Sequence, residues 1–532
     1  MRLGLSCLAI TALVIAVAWS WLGRPVAMPA APLQTGEKLY CISYAPFRGT
    51  QTPLDLTTRI TAAQIEEDLA RLSRLTNCVR VYSTDYGLDQ IAGTAERLGL
   101  KVLQGLWLSS HADRNREQIE TAVALANKYP DTVRAVVVGN EVLLRGEMTA
   151  TDLAATMRTV KARVKVPVTY ADVWEFWLRN RDVAAAADFI TIHILPYWED
   201  FPIRASQAAA HVDAIRRKMA EAFAGKEVII GEVGWPSAGR MREGALPSPA
   251  NQARVIQDVL TLAKRDGVKV NVIEAFDQPW KRALEGTVGG HWGLFDDAGR
   301  QAKFEWGVPV SNHPLWHWQA AGGVIFAVLV FGMAFSAQRG QGGSPATWLA
   351  VSANALAGGL LIGWAVANVP LESLGVGGWL RSLALVAAAV ASPLLASVAI
   401  MRGVPQPALA RIIGPAALRT RDPVALAIGA VSIGTLLLSL LVALGLVFDP
   451  RYKDFPFAPL TAAIVPLATH AFAVAQPAGR RGAAELAGAA VLALSVVYIV
   501  PNEGLANWQS LWLCAALALF ALTLTRVRAA PN

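Results

Sequence analysis

The acidic residues of this 532-residue chain sit almost entirely in one part of it. Residues 37–310 hold 34 of the 40 Asp and Glu, whereas 317–528 are mostly Ala, Leu, Val and Gly. Segments that apolar leave water for a bilayer, and seven runs have about the length to cross one: 319–336, 346–368, 379–400, 424–447, 458–475, 483–500 and 508–525. An eighth run, 3–22, comes after Arg2 and reads as a cleaved signal or an uncleaved anchor. The stretch after it, GRPVAMPAAPL, offers no clean small-x-small cleavage site, which favours the anchor, and either reading exports the domain behind it. Residues 24–36 read as a Pro/Ala linker. The expected domains are therefore 1–36 (anchor or signal plus linker), 37–310 (soluble) and 311–532 (membrane helices).

The 54% hydrophobic content comes from this partition, and so does the meaning of the net charge of +8. The excess Arg lies in short loops between apolar runs: Arg339, then Arg402, Arg411, Arg419 and Arg421, then Arg480 and Arg481, then Arg526 and Arg528. These are alternate loops. The opposite ones are poorer, and the basic residues of DPRYKDFP (449–456) are balanced by acids. By the positive-inside rule this places the soluble domain outside the cytoplasm, facing the periplasm in a Gram-negative cell. Membrane lipid is thus an expected partner and nucleic acid is not. Trp306, Trp316 and Trp318 read as an interfacial belt. The spans lack acids or bases of the kind that mark an ion pathway.

Of four cysteines, Cys7 and Cys514 fall inside apolar runs and read as packing residues. Cys41 and Cys78 begin neighbouring strands, so a disulfide is open to them outside the reducing cytosol. No spacing marks a metal site, and no cofactor is called for.

Within 37–310, short β-rich runs alternate with amphipathic helical patterns. The strands read are 39–45, 77–83, 101–108, 134–140, 167–173, 188–194, 227–232 and 270–276. Thr61 and Gln64 make a capping box before IEEDLARLSRL, and Ser248-Pro249 supplies an N-cap with Pro in the first turn. Eight strands with seven helices between them match an α/β fold, a (β/α)8 TIM barrel, whose sites lie at the strand C-terminal ends. Two strands end alike there. AVVVGNE (135–141) and EVIIGEVGWPSAG (227–239) each run from an apolar strand through Gly to a carboxylate, Glu141 and Glu232. Two such carboxylates, one preceded by Asn140, are what a retaining glycosidase needs: an acid/base and a nucleophile about 5 Å apart.

GNEV (139–142), GEVGWPSAG (231–239) and HWGLF (291–295) occur in order at fitting spacings, and over about 39–306 the chain resembles glycoside hydrolase family 17, β-1,3-glucan-active (β/α)8 barrels. With the apolar runs attached it is similar to bacterial membrane-bound β-glucan synthase-like proteins. The resemblance implies Glu141 as acid/base, Glu232 as nucleophile, and Asn140 bonding the 2-hydroxyl of the reacting sugar. AFDQPWK (275–281) matches the family's last-strand motif, with Lys281 at the position of a site lysine and Gln278 where the family usually carries an acid. Glu285 is the candidate to replace that acid. Tyr197 in HILPYW corresponds to a family Tyr near the nucleophile.

Sugars bind by stacking on aromatic faces and by hydrogen bonds, so the expected substrate contacts are Asn140, Tyr44, Tyr82, Asp172, Trp174, His193, Tyr197, Trp235, Phe276 and Lys281, with Trp107, Trp177, Trp198 and Trp292 as further aromatics. Some of these aromatics are expected to pack the core or rim instead. His193 reads as a ligand contact or as support behind one, Asp172 as a substrate contact or a loop cap, and Arg80 as orienting a carboxylate or as a structural ion pair. The expected activity is hydrolysis or transglycosylation of β-1,3-glucan, in glucan synthesis, branching or remodelling. A plain endo-β-1,3-glucanase and a non-catalytic glucan-binding or export scaffold are the alternatives. The expected partners are a β-glucan polysaccharide or oligosaccharide, lipid, and a glucan polymerase.

Overall fold

Runs such as Val136-Val137-Val138 and Val228-Ile229-Ile230 are apolar on both faces because each strand they form is covered on both, by the barrel interior and by a helix. In the computed structural model, which describes residues 2–338, 343–414 and 420–528, eight parallel strands close in sequence order into a barrel. They are β1 (Cys41–Ser43), β2 (Cys78–Val81), β3 (Lys101–Leu106), β4 (Val133–Asn140), β5 (Val168–Val173), β6 (Ile190–His193), β7 (Val228–Val233) and β8 (Val270–Val272). Counting Arg2–Leu22 as α1, the helices between strands are α2 (Ala62–Leu72), α3 (Ile91–Arg97), α4 (Ala112–Lys128), α5 (Ala150–Lys161), α6 (Trp174–Arg179), α7 (Ala205–Ala222) and α8 (Pro249–Asp266). Thr61 caps α2 through Gln64 N–H, and Ser248 caps α8 with Pro249 in its first turn.

Every expected strand is present, but β8 stops at Val272, so Glu274 and Phe276 belong to the segment beyond it. A helical turn, α9 (Arg282–Glu285), comes next. Cys41 and Cys78 are joined as a disulfide across the first residues of β1 and β2. Ladder shifts fall at Val102/Leu103 near the start of β3 and, toward the C-terminal ends of their strands, at Val137/Asn140, Ile192/His193 and Ile230/Val233. Such bulges re-aim side chains at a barrel rim.

By contacts the chain divides into two units. One is Val26–Ala238 with Gly244–Val310, the barrel; the other is Met1–Pro25, Gly239–Glu243 and Ser311–Asn532. Part of the stretch read as a linker therefore counts with the barrel, where Val26 pairs with Val310 and the Ala27 carbonyl accepts from Arg254. Trp306, read as a belt residue, packs edge-on to Phe304 against the barrel core.

The second unit is helical: α1, α10 (Trp316–Ala337), α11 (Pro345–Glu372), α12 (Gly375–Arg402), α13 (Ala410–Ile413), α14 (Pro423–Phe448), α15 (Phe457–Ala473), α16 (Ala483–Glu503) and α17 (Trp508–Arg526). Among the described residues seven helices, α1 included, are long and apolar enough to cross a membrane. The fifth expected span corresponds to α15, at 17 residues shorter than these and mostly buried. Helices here approach closely through small residues: a Cβ at Gly323 would lie 2.2 Å from the Gly359 carbonyl. Arg339 and Arg419 of the expected basic loops lie outside the described residues.

Candidate active site

The site begins with backbone that most residues avoid. Gly139 has φ +86° and Glu141 φ +52°, so the end of β4 turns through a left-handed conformation that a glutamate adopts only at a cost of about 1 kcal/mol or more. The turn is held by Glu141 N–H donating to Ala171 O at 2.8 Å and by Arg145 N–H donating to Glu141 O at 2.9 Å. It carries the Glu141 side chain to the ends of β6 and β7. There an oxygen of Glu141, a ring nitrogen of His193 and an oxygen of Glu232 all lie within 4.8 Å of one another.

Arg80 on β2 ties the group together. Buried to 1% exposure, it donates through Nη1 to Gly231 O (2.8 Å) and Glu232 Oε1 (3.0 Å), and through Nη2 to Asn140 Oδ1 (2.5 Å). Of the two roles open to Arg80, the structure gives it the first, orienting a carboxylate. Tyr82 donates to Glu232 Oε1 at 2.8 Å and lies 2.7 Å from Ser43 Oγ. Burial, together with the Glu232 charge, holds the Tyr82 phenol well above its usual range, so it stays a donor. His193, fully buried, sets Nδ1 2.8 Å from Glu141 Oε1 and Nε2 3.1 Å from Arg80 Nη1. It supports the carboxylates from behind. Burial pushes the Glu141 carboxyl up, but the His193 hydrogen bond and the charges of His193, Arg80 and Arg145 outweigh it and leave it below the ordinary carboxylate value. The Glu141–His193–Glu232 donor set has the composition of a metal triad, yet the Arg80 guanidinium faces both His193 Nε2 and Glu232 and already supplies the positive charge there.

A second acid stands beside Glu232. Glu274, 2% exposed, pairs through Oε1 with Lys281 Nζ, while its Oε2 has no hydrogen-bond partner among the described residues. Burial, with smaller help from the charges of Glu285 and Glu232, raises its pKa to about 7 against the pull of Lys281. Lys281 is itself raised: burial lowers it, but Glu274 and Glu285 outweigh that. Lys281 thus takes Glu274 as its acid partner. Gln278 is used up in bonds to Ala45 O and Phe276 O and from Trp280 Nε1. Sequence reading missed Glu274; the signal was an acid inside an apolar run, VNVIEAF. Glu285 is raised by burial and by the charges of Glu141 and Glu232, partly offset by Lys281.

The other expected contacts divide. Asp172 is fully buried, bonded to the Tyr170 hydroxyl and accepting from Val173 N–H at 2.7 Å. Burial, against the pull of the Tyr170 hydrogen bond and helped by the Glu141 charge, raises it to about 6. That is a support role. Tyr44 donates to Asp68 at 3.1 Å, and Phe276 lies under the Arg300 guanidinium at 4.1 Å; both are buried core residues. Tyr197 and Trp235 are fully buried in an edge-to-face cluster with Trp198 and Trp292, so they shape the wall from behind. Trp177 is core. Trp174 is partly exposed, with Nε1 donating to Glu199 and Lys218 4.5 Å from its ring.

Residues 41–293 match the BtgE/BtgC glycoside hydrolase domain. The chain is 28% identical over 289 residues to the "Probable glucan endo-1,3-beta-glucosidase btgC" of Aspergillus fumigatus, a match covering 48% of this chain and 41% of that one. It is 28% identical over 260 residues to the glucan 1,3-beta-glucosidase of Candida albicans, covering 43% and 82%. A solved structure of an active-site mutant of Rhizomucor miehei beta-1,3-glucanosyltransferase with laminaritriose matches at 26% identity and TM-score 0.45, over 51% of this chain and 97% of that one. The chain thus spans about two-fifths of the length of the Aspergillus fumigatus relative. Over residues 41–293 the chain is thus similar to glycoside hydrolase domains of the BtgE/BtgC type, a likeness consistent with glycoside hydrolase family 17.

Proposed function

We propose that the barrel acts on β-1,3-glucan by double displacement, with Glu232 as nucleophile and Glu141 as acid/base. The observation that carries this is the approach of the two carboxylates to within 4.8 Å. An inverting pair stands about 6.5–9.5 Å apart to admit a water, and a retaining pair about 5–5.5 Å. Glu232 attacks the anomeric carbon while Glu141 gives its proton to the departing oxygen. The glucosyl ester on Glu232 is then displaced by an acceptor hydroxyl whose proton returns to Glu141. Arg80 and Tyr82 aim Glu232 through hydrogen bonds to its Oε1. Water as acceptor gives hydrolysis; a glucan hydroxyl gives transfer, the outcome this reading favours.

The substrate class is drawn from the relatives, glucan 1,3-β-glucosidases among them. A place in the plasma membrane, with the barrel on its outer, periplasmic side, is supported by the seven apolar helices, the basic loops and the Cys41–Cys78 disulfide. Such a protein would remodel or branch glucan beside its polymerase. The test is product analysis of the full-length chain in detergent with labelled laminariheptaose, beside Glu232→Gln. Products longer than the substrate, absent in the variant, support transfer; shorter ones alone make it a glucanase. Wild-type turnover unaffected by Glu232→Gln would overturn the assignment, as would no turnover at all.

A further inference from the structure

One large aromatic at the barrel mouth is exposed and yet rigidly built. Trp107 directly succeeds β3 and shares the strand parity of Leu103, which packs into the barrel interior with Cys41, Ala135 and Val137. The pairing of Leu106 with Val138 sets Trp107 one step on, level with Gly139 and so beside the Asn140–Glu141 turn. The residue remains 38% exposed. Its backbone N–H donates to Gln118 Oε1 at 3.0 Å, an oxygen that also accepts from Thr84 N–H. One face of its ring is covered by the Arg145 guanidinium, 4.2 Å from the centroid. Arg145 is fixed in turn: Nη1 donates to Asn140 O, Nη2 to Leu108 O at 2.6 Å and Nε to Glu147 Oε1 at 3.0 Å. Glu147 Oε2 accepts from Ser110 N–H, closing the loop after β3 onto the loop after β4.

Packing alone does not call for this. A core tryptophan would be covered on both faces, and a casual surface one would not be pinned at backbone and ring together. The same arginine that backs the ring holds the carbonyl just before Glu141. Ring and acid/base are therefore referenced to one guanidinium.

We propose that Trp107 is the platform on which the acceptor sugar stacks. The inference rests on Glu141 being the acid/base, since that residue serves the leaving-group and acceptor side of the bond. In the second half of the reaction the acceptor hydroxyl must lie against Glu141, lose its proton to it, and attack the anomeric carbon as the ester to Glu232 breaks. A pyranose flat on the face of Trp107 opposite Arg145 presents its hydroxyls at the Glu141 side of the mouth. The stacked arginine keeps the ring from turning away. Trp107 thereby sets how well a glucan chain competes with water for the glucosyl-enzyme.

The test uses the full-length protein in detergent, β-laminaribiosyl fluoride as donor and laminaribiose as acceptor, because fluoride as leaving group has no ring to stack. In Trp107→Ala the acceptor concentration for half-maximal transfer should rise about ten-fold, the loss of one stacking contact. That rise should exceed several-fold any change in fluoride release without acceptor. Trp107→Tyr, which keeps an aromatic face, should stay within about three-fold of wild type. Unchanged acceptor dependence in Trp107→Ala would overturn the proposal. So would fluoride release falling in step with transfer, the sign of a merely structural residue, or Trp107→Tyr losing acceptor use as fully as Trp107→Ala. Failure of the wild type to release fluoride would instead strike the assignment of Glu141 and Glu232, before any acceptor is added, and the platform would fall with it.

Discussion

The two ends of the barrel solve the same packing problem with different chemistry. Toward the strand starts the interior is filled by Leu103, Ala135, Val137 and Ala171 around the Cys41–Cys78 disulfide, all buried and without a charge among them. Toward the strand ends the same strands bury Arg80, Asn140, His193 and Glu232, with Glu274 just beyond. Burying charge is costly unless each is paired and hydrogen-bonded, and here one guanidinium serves a carboxylate, an amide and a carbonyl. An apolar filling would hold the barrel shut as well at far lower desolvation cost. The charged end is therefore the part shaped by function, and the uncharged end the part shaped by stability.

That contrast is broken most severely at the carboxylates. Glu232→Gln removes the nucleophile while keeping its shape, and kcat on laminari-oligosaccharides should fall on the order of 10^4-fold or more with little change in thermal stability. Glu141→Gln should cost about 10^2–10^4-fold on natural substrates, and much less with a fluoride leaving group that needs no proton, measured as fluoride release from β-laminaribiosyl fluoride. Arg80→Met should damage both ends of the comparison. It strands Glu232 beside His193, should lower activity at least as much as a lost electrostatic donor, about 10^2-fold, and should destabilise the barrel by about 3–5 kcal/mol in denaturant titration.

The opposite end should answer in the opposite way. Cys41→Ser opens a loop spanning a sequence separation of 37 and should cost about 2–4 kcal/mol, while kcat/KM below the melting transition stays within about two-fold of wild type. Activity lost without stability there would undo the division of labour. The finest test is pH. Glu274 is raised to about 7, so the folded state holds its proton where the unfolded chain has released it. Its contribution to stability is complete below about pH 4.5 and is lost as pH rises through 7. Glu274→Gln should remove that slope from melting temperature against pH, and should flatten any limb near pH 7 in kcat/KM.

How much of this was legible in the sequence depends on range. The strands, the capping residues and the strand-end carboxylates are written locally, in apolar runs and in Gly-Asn-Glu and Gly-Glu at their ends, and the barrel comes from counting them. Arg80 acts across the barrel: it meets Glu232 over 152 positions, a distance no periodicity encodes. The aromatics were harder for a related reason. Trp107, Trp235 and Tyr197 look alike as letters near strand ends, and only packing separates the pinned, half-open ring from the two that are buried. Phe276 and Tyr44 were read as contacts because their strands were read long; β1 and β8 end early, and both rings fall behind the site.

The central claim is that Glu141 and Glu232 work as a retaining pair. Proton NMR of the full-length protein turning over a β-1,3-linked laminari-oligosaccharide, read in the first minutes before mutarotation, tests it most directly. The account predicts that the first-formed reducing ends, and any new glycosidic bonds, are β. First-formed α-anomer would show a single inverting displacement and would contradict the reading of this carboxylate pair.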